Sequence, residues 1–407
     1  MNSIKNILRG ISWIGLFRVV FRVISFVKIA ILARLLTPFD FGIFAVASLV
    51  LALLEKITET GINVFLIQEN KELEEYVNTA WVVSIIRGLM ISLLMFFFAR
   101  IIANFFHIKE AIYLLRLISI VPLLRGFINP AIIKFQKNLQ FNKEFYLRST
   151  LVFADLIVCL AVVFITGSVI GLVYGLITST IFEIVFSFIF IVPRPHLFFD
   201  KQQAKTIIFR GKWVNFYGLT DYLFENLDNM VVGRILGTSY LGFYNMAYKI
   251  SYLPISEVAQ VFSTVSFPSY VKMNDNKKQV KDYLIKISLS VLMLTVPAML
   301  ALFFWPKQLI GIFLGEKWLE ITPVLKILAI FGVLKGYIYS CYSLFLAVKR
   351  QNYVSIISFS GLLGLVLTII PFTVRMGLVG AGYSVLTGSI LSFAVFIFYL
   401  IKVLDEI

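Results

Sequence analysis

Charged residues are scarce in this sequence. They make up 14% of its 407 residues, whereas hydrophobic residues make up 59%. A soluble domain needs a larger share of polar residues to cover its surface. Apolar runs such as 81–98, 151–169 and 377–401 are long enough to cross a bilayer, which takes about 20 helical residues. The composition therefore predicts an all-α polytopic membrane protein.

Cysteine and histidine are nearly absent, with two residues of each. Cys159 and Cys341 fall in apolar segments, so we expect no disulfide framework. His107 and His196 fall in separate loops and do not suggest a metal site. The sequence also lacks the glycine-rich loop of ATP-hydrolysing proteins, and no loop is long enough for a folded extramembrane domain. We therefore expect no enzyme, no catalytic residue, and no resident metal or cofactor.

Acidic residues are fewer than basic ones, 22 against 37, which gives a formal net charge of +15. A nucleic-acid partner is one explanation of such an excess. However, lysine and arginine collect in alternate loops, at 134–148, 194–212, 272–281 and 349–350. Short cytoplasmic loops of membrane proteins carry this excess. We therefore expect no nucleic-acid binding, and we expect both chain termini to be cytoplasmic.

The sequence contains an internal repeat. Residues 33–47 recur without a gap as 233–247, so that Arg34 aligns with Arg234 and Gly42 with Gly242. Farther on, residues 124–128 recur as 334–338 at a shift of 210 instead of 200. Two echoes in the same order, each with a basic residue and a glycine in step, indicate a tandem duplication of one membrane module.

Hydrophobic segments predict about twelve transmembrane helices in two repeat-related six-helix lobes around a central cavity. The lobes comprise residues 1–192 and 213–407, and residues 193–212 form a cytoplasmic linker with an amphipathic helix at the inner leaflet. An even number of spans between the copies gives both lobes the same orientation in the membrane. The predicted spans are roughly 11–34, 41–66, 80–104, 111–135, 145–166, 169–192, 213–236, 240–268, 283–304, 321–347, 354–374 and 378–401.

Two predicted spans carry several charges of one sign. The first has Arg18, Arg22 and Lys28, and Arg18 and Arg22 lie within about 40° of each other on a helix. The seventh, its repeat-related counterpart, has three acidic residues within about 60°, namely Asp221, Glu225 and Asp228. The basic and acidic stripes fall at matched depth. They either pair in a structural salt bridge between lobes or line a polar cavity there.

Other charged residues also fall within predicted spans. Lys56 and Glu59 are three residues apart and are expected to pair locally, which leaves Glu55 as the freer carboxylate. Arg125 and Lys335 occupy equivalent positions of the repeat. They either line the cavity or hold neighbouring helices together.

The segment ARLLTPFDFGIFAVAS at 33–48, with the two six-helix lobes and the basic first helix, resembles the Wzx-type polysaccharide flippases of the multidrug/oligosaccharidyl-lipid/polysaccharide exporter superfamily. The resemblance implies alternating access in the bacterial cytoplasmic membrane, with an undecaprenyl-pyrophosphate-linked oligosaccharide as substrate. It implies a cationic site for the anionic headgroup, and it implies coupling to H⁺ or Na⁺. The matching basic residues are Arg18, Arg22, Lys28, Arg125 and Lys335, and the candidate coupling acids are Glu55, Asp221, Glu225 and Asp228.

Other functions and partners remain open at this stage. A cation-coupled multidrug exporter of the same fold would use the acidic stripe as its substrate site. A membrane glycosyltransferase or polymerase is disfavoured by the short loops, and a structural scaffold leaves the charges within the spans unexplained. Membrane lipids and the polysaccharide polymerase machinery are expected partners. A chain with two lobes needs no second copy to form a pathway, so we expect a functional monomer.

Overall fold

The computed structural model describes residues 21, 23–62, 66, 73–138, 140–273 and 277–406. Every regular element in these residues is an α-helix or a short 3-10 helix. The chain divides into two compact units, Met1–Asn226 (unit 1) and Leu227–Ile407 (unit 2). The all-α fold is the predicted one. The lobe and linker boundaries remain predictions, because the division between units falls inside a helix.

Unit 1 combines long helices of 20 to 35 residues with short ones of four to eight residues. Helix α7 (Phe141–Thr166) packs along α8 (Ile170–Phe190), and α3 (Leu73–Phe105) packs against α4 and α5, the two short helices at 111–118 and 120–126. Gly171 of α8 permits the first of these contacts, because a Cβ there would lie 2.8 Å from the carbonyl oxygen of Cys159. The helices are α1 (23–35), α2 (Pro38–Ile57), α3 (Leu73–Phe105), α4 (Ala111–Ile118), α5 (Ile120–Gly126), α6 (Lys134–Lys137), α7 (Phe141–Thr166), α8 (Ile170–Phe190) and α9 (Lys201–Ile235), which continues into unit 2.

Unit 2 is organised around helix α14. This helix packs against α11, α12 and α15, and most of its apolar side chains are buried as a result. The helices of the unit after α9 are α10 (Thr238–Ser251), α11 (Leu253–Met273), α12 (Lys277–Phe304), α13 (Pro306–Phe313), α14 (Thr322–Ala347) and α15 (Gln351–Glu406).

The two copies of the repeated segment adopt the same local structure. A helix ends near Leu36 in the first copy and near Leu236 in the second, and a new helix begins two residues later in each. In the first copy Thr37 and Asp40 form a reciprocal capping box, with Pro at the first turn. In the second copy Gly237 takes a φ of 93°, which glycine adopts without strain. Different residues therefore make the same helix break 200 positions apart, as expected for a duplication.

Three predicted spans are interrupted, and their prediction as single helices was wrong. Where one helix was expected over 41–66, α2 ends at Ile57 and residues 58–61 are not helical. Where one helix was expected over 111–135, the chain bends by 72° between 111–126 and 130–137. Asn129 and Pro130 start the second part, since Asn129 Oδ1 accepts from the Ala131 amide at 2.9 Å. Where one helix was expected over 240–268, α10 ends at Ser251 and α11 begins at Leu253. Pro254 has no amide hydrogen to continue the first helix.

The predicted linker does not form a helix of its own. Helix α9 begins at Lys201, inside the linker, and continues without a break to Ile235. Gly211 lies within it, and one glycine costs a helix only about 1 kcal/mol. Before the helix, the linker is tied to α3, since Asn78 Oδ1 accepts from the His196 amide at 2.9 Å.

Apolar helices of sufficient length to span a membrane are numerous. Among the described residues there are seven, or up to eight if the bent segment that ends at Lys137 counts as one span. Helix α15 has 56 residues with a break at Gly377, where φ is 59° and ψ is −138°. That break lies between the predicted spans 354–374 and 378–401. The protein is thus a polytopic helical membrane protein, and the number twelve remains a prediction.

Candidate functional site

Unit 1 contains a polar cavity of about 390 Å³. Close packing of α3 against α5 forms one wall, because a Cβ at Gly88 would collide with the Pro122 carbonyl oxygen and one at Gly126 would lie 2.8 Å from the Ser84 carbonyl oxygen. Among the described residues, seven charged ones line the cavity, from α2, α3, α5, α7, α8 and the loop after α2. They are Glu55, Glu59, Arg87, Arg125, Glu144, Arg148 and Glu183.

The structure brings Glu55 and Arg125 together. Nη1 of Arg125 lies 2.6 Å from Oε1 of Glu55, and the Arg125 side chain is 41% exposed. Glu55 was expected to be the freer carboxylate of its helix, and this expectation was wrong because α5 brings a guanidinium to it. The expected Lys56–Glu59 pair is confirmed at 3.1 Å. Whether Glu55 couples an ion and Arg125 binds a headgroup stays a prediction, but the two residues share one site.

Arg87 forms hydrogen bonds with the carboxyl end of α2, next to this pair. Its Nη2 donates to the carbonyl oxygen of Glu55 at 2.7 Å, and its Nε donates to Thr58 Oγ1 at 3.2 Å. Carbonyl groups in the last turn of a helix have no partner within the helix. Arg87 therefore satisfies one of them and holds the backbone that carries Glu55.

The cavity has a second group of polar contacts. Glu144 Oε1 accepts from Gln136 Nε2 at 2.8 Å and from Arg148 Nε at 3.0 Å. Glu183 lies on α8, and both Arg148 and Arg125 are close enough to act on it electrostatically. Within the part of the chain that the structure describes, Glu183 forms no ion pair. Its carboxylate is therefore the acceptor of the cavity with least involvement in fixed contacts.

These carboxylates do not form a metal site. No group of three or more histidine, cysteine, aspartate or glutamate side chains among the described residues converges to hold a metal ion. Basic side chains contact two of the glutamates through one oxygen each, as the Arg125–Glu55 and Lys56–Glu59 pairs show. The cavity presents both hydrogen-bond donors and acceptors.

Lys28 has a partner within unit 1. Its Nζ lies 2.6 Å from Oδ2 of Asp155 on α7, and the two side chains are only 16% and 19% exposed. The other carboxylate oxygen of Asp155 is buried without a hydrogen bond. Matched positions in the repeat placed Lys28 opposite Asp228, but the contact observed in unit 1 is with Asp155. The role of Lys28 in headgroup binding stays a prediction.

Asp228 is buried in unit 2 and is held by neutral donors. The Tyr244 hydroxyl donates to its Oδ2 at 2.8 Å, and the Asn229 backbone amide donates to its Oδ1 at 2.8 Å. Asp228 is 2% exposed and Tyr244 is fully buried. Lys335 acts on the Asp228 carboxylate electrostatically. The Nζ of Lys335 also lies 5.0 Å from the ring centroid of Tyr252.

The remaining predicted site residues are placed only in part. Glu225 is exposed on α9. Asp221 lies on the same helix, and its side chain falls outside the described part of the structure. Arg18 and Arg22 also lie outside the described residues. The basic stripe on the first predicted span and the acidic stripe on the seventh therefore stay predictions.

Sequence reasoning assigned neither several residues of the cavity nor Asp155, the partner of Lys28. Arg87, Asp155 and Glu183 each stand alone in an apolar segment, with no charged residue at helical spacing to indicate a partner. Glu144 and Arg148 do carry such a signal, since they are four residues apart on one helix. That spacing predicts their pairing, although not their position on the cavity.

Comparisons with known proteins agree on one family. The family described as polysaccharide biosynthesis protein matches residues 31–323, which is most of the chain. The lipopolysaccharide biosynthesis protein WzxC of Escherichia coli K12 is 23% identical over 83% of this chain and 69% of its own length. The teichuronic acid biosynthesis protein TuaB of Bacillus subtilis 168 is 23% identical over 81% of this chain and 69% of its own length.

The fold also has a solved counterpart. The lipid II flippase MurJ in an inward closed conformation superposes with a TM-score of 0.76 and 16% identity. The superposition covers 96% of this chain and 89% of that chain. An identity this low establishes the shared fold alone. Taken with the match over residues 31–323, the chain belongs to the polysaccharide biosynthesis protein family.

Proposed function

We propose that this protein is a flippase that moves undecaprenyl-pyrophosphate-linked oligosaccharide from the inner to the outer leaflet of the bacterial cytoplasmic membrane by alternating access. The main support is a cavity lined by charged residues between apolar helices, in a member of the polysaccharide biosynthesis protein family. A charge at mid-bilayer costs about 2.5–3.5 kcal/mol on insertion scales. Seven charged residues around one cavity are therefore best explained by a polar ligand or water path.

In this proposal the first helix captures the pyrophosphate. Guanidinium groups bind phosphate oxygens bidentately and keep their charge, and Arg18 and Arg22 fall on one helical face. The sugars enter a wet cavity while the prenyl chain stays in lipid. Transport carries the headgroup outward from the cytoplasmic side, where we place both chain termini.

Coupling to H⁺ or Na⁺ is part of the same proposal. Asp228 is its best-supported site, because its carboxylate is buried and is bonded to neutral donors from Tyr244 and Asn229. Binding of a proton or Na⁺ there would favour one of two conformations only if the conformations differ in affinity for it. The protein acts as a monomer and delivers its product to the polymerase machinery.

Reconstitution in liposomes tests the function directly. Fluorescent undecaprenyl-pyrophosphate oligosaccharide is placed in both leaflets, and its accessibility to an external quencher is measured over time. Wild type should move the lipid, and the Arg18→Ala/Arg22→Ala double variant should not. Arg375→Ala, at an exposed position of α15, is the matched control for loss of positive charge. No movement by wild type, even with an ion gradient, would reject the function, and competition by hydrophobic cations would favour a drug exporter.

A further inference from the structure

Within the described residues, the lining of the unit 1 cavity is nearly balanced in charge, although the protein carries an excess of basic residues. This part of the lining holds four glutamates and three arginines. Lys56, behind Glu59, adds a fourth positive charge through their ion pair. Two of the arginines, Arg125 and Arg148, are already paired with glutamates. The part of the lining that the structure describes therefore offers no net positive charge to an incoming anion.

A pyrophosphate fits this cavity poorly. It carries about two negative charges, and burying them needs unpaired cations or many donors. Glu183 and Glu59 would lie beside those charges, and like charges at short range repel. Arg125 contacts Glu55 at 2.6 Å through Nη1, so a phosphate bound by its other N–H groups would lie near the Glu55 carboxylate and be repelled by it. A metal ion fits no better, because no three acidic, histidine or cysteine side chains among the described residues converge.

A polyhydroxylated ligand fits the same lining well. A hydroxyl group both donates and accepts, and the cavity lining contains both carboxylate acceptors and guanidinium donors. Hydrogen bonds to charged partners are stronger than those between neutral groups. Ser84 and Gln136 add neutral polar groups to the lining. A neutral sugar satisfies both kinds of partner without adding charge to a balanced site.

Size and access agree with this ligand. Sites for small organic molecules have volumes of about 300–1,000 Å³, and this cavity, at about 390 Å³, lies near the lower limit. It is therefore suited to part of an oligosaccharide and not to a complete lipid-linked unit. The Arg125 side chain is 41% exposed, so the ion pair stands at an accessible part of the lining.

We propose that the cavity of unit 1 binds sugar hydroxyls of the lipid-linked substrate and not its pyrophosphate, with Glu183 and Glu59 as principal acceptors. The inference rests on the proposed function and adds the part of the substrate that this cavity recognises. The proposal assigns phosphate binding and sugar binding to different residues. Other residues bind the phosphates, and the cavity of unit 1 binds the saccharide.

Binding measurements with three probes test the proposal. The probes are the lipid-linked oligosaccharide extracted from cells that lack the transporter, undecaprenyl pyrophosphate without sugar, and the saccharide released from the first probe by mild acid. The full-length protein in nanodiscs is titrated with each. Wild type should bind the oligosaccharide lipid more tightly than the bare pyrophosphate, and the free saccharide should compete for the difference.

Variants locate the binding. Glu183→Gln keeps the side-chain shape and should weaken the binding of the oligosaccharide lipid about tenfold. This is the effect expected for losing one hydrogen bond to a charged group. The affinity of this variant for undecaprenyl pyrophosphate should stay within about twofold of wild type, a smaller change than the loss of such a hydrogen bond produces. Glu59→Gln should show the same selective loss of affinity for the oligosaccharide lipid. It replaces Glu183→Gln in the test if that variant does not fold. Glu316→Gln, exposed in unit 2, is the matched control and should change neither affinity.

The contrary results are distinct. Equal loss for both lipids in Glu183→Gln and Glu59→Gln would assign the cavity to the pyrophosphate and overturn the proposal. Unchanged binding of every probe in both variants would also overturn it. Failure of wild type to bind or move the oligosaccharide lipid would instead reject the proposed function itself.

Discussion

Nη1 of Arg125 lies 2.6 Å from Oε1 of Glu55, so that a cation on α5 and an anion on α2 form one ion pair at the cavity of unit 1. The two residues were predicted to serve different tasks, one on the substrate and one on the coupling ion. Their contact means that a change to either residue alters the environment of the other. Single substitutions cannot separate their roles, and paired substitutions are needed.

A double-mutant cycle should measure the coupling between Glu55 and Arg125. Glu55→Gln and Arg125→Gln should each lower stability, and the double variant should lose less than the sum. Because Arg125 is 41% exposed, we expect a coupling of about 1 kcal/mol or less. Thermal unfolding of the purified protein in detergent checks this. Strict additivity would show that the contact contributes nothing to stability.

Removing one member of the Lys28–Asp155 pair should lower the stability of the protein more than the changes at Glu55 and Arg125 do. Both side chains are less than one-fifth exposed, and an unpaired buried charge destabilises a protein by about 3–5 kcal/mol. Lys28→Met and Asp155→Asn should each lower the unfolding temperature strongly. Lys28→Met/Asp155→Leu should recover most of the loss, since it leaves no buried charge. A double variant as unstable as the single ones would argue against the pair as the cause.

Close helix packing at Gly126 can be tested with a matched glycine. Gly126→Ala should destabilise the protein by about 1–3 kcal/mol through overpacking, because its Cβ would lie 2.8 Å from the carbonyl oxygen of Ser84. Gly311→Ala should be neutral or stabilise by up to about 1 kcal/mol, since a Cβ there meets nothing within 4 Å. Thermal unfolding of both variants, compared with wild type, measures the difference. Equal effects would show that α3 and α5 are not tightly packed at this point.

The bond from Tyr244 to Asp228 should matter for stability. Tyr244→Phe removes a donor from a fully buried carboxylate, and we expect a loss of about 1–3 kcal/mol. Tyr240→Phe changes the same chemistry at a site that is 46% exposed, and it should be close to neutral. Denaturation of the two variants under identical conditions makes the comparison. A loss of similar size in both would place the effect outside the Asp228 contact.

The prediction for Tyr244→Phe extends to transport. If Asp228 holds the coupling ion, altered hydrogen bonding at its carboxylate should change the dependence of flipping on the ion gradient. The measurement is the initial rate of lipid movement in liposomes at several imposed gradients, with Tyr240→Phe as reference. An unchanged gradient dependence in Tyr244→Phe would move the coupling site away from Asp228.

Several features were accessible without the structure because they depend on local sequence. Helical spans follow from continuous apolar runs, and the shared helix break near Thr37 and Gly237 follows from turn chemistry repeated 200 residues apart. The Lys56–Glu59 pair follows from helical spacing. The bends near Pro130 and Pro254 were missed, although proline marks both. A helix was expected within the linker, but its continuity with the seventh predicted span, as the single helix α9, was not.

Sequence alone determined the helical membrane class, the duplication and the family resemblance, since each depends on composition or on the order of residues along the chain. Tertiary structure decided which charges meet. Lys28 and Asp155 are 127 positions apart, and Arg125 and Glu55 are 70 apart. An isolated charge in an apolar helix needs a partner, but helical periodicity specifies only the face on which it lies. The partner is chosen by the packing of that face against other helices, where glycines such as Gly88 and Gly126 bring backbones together.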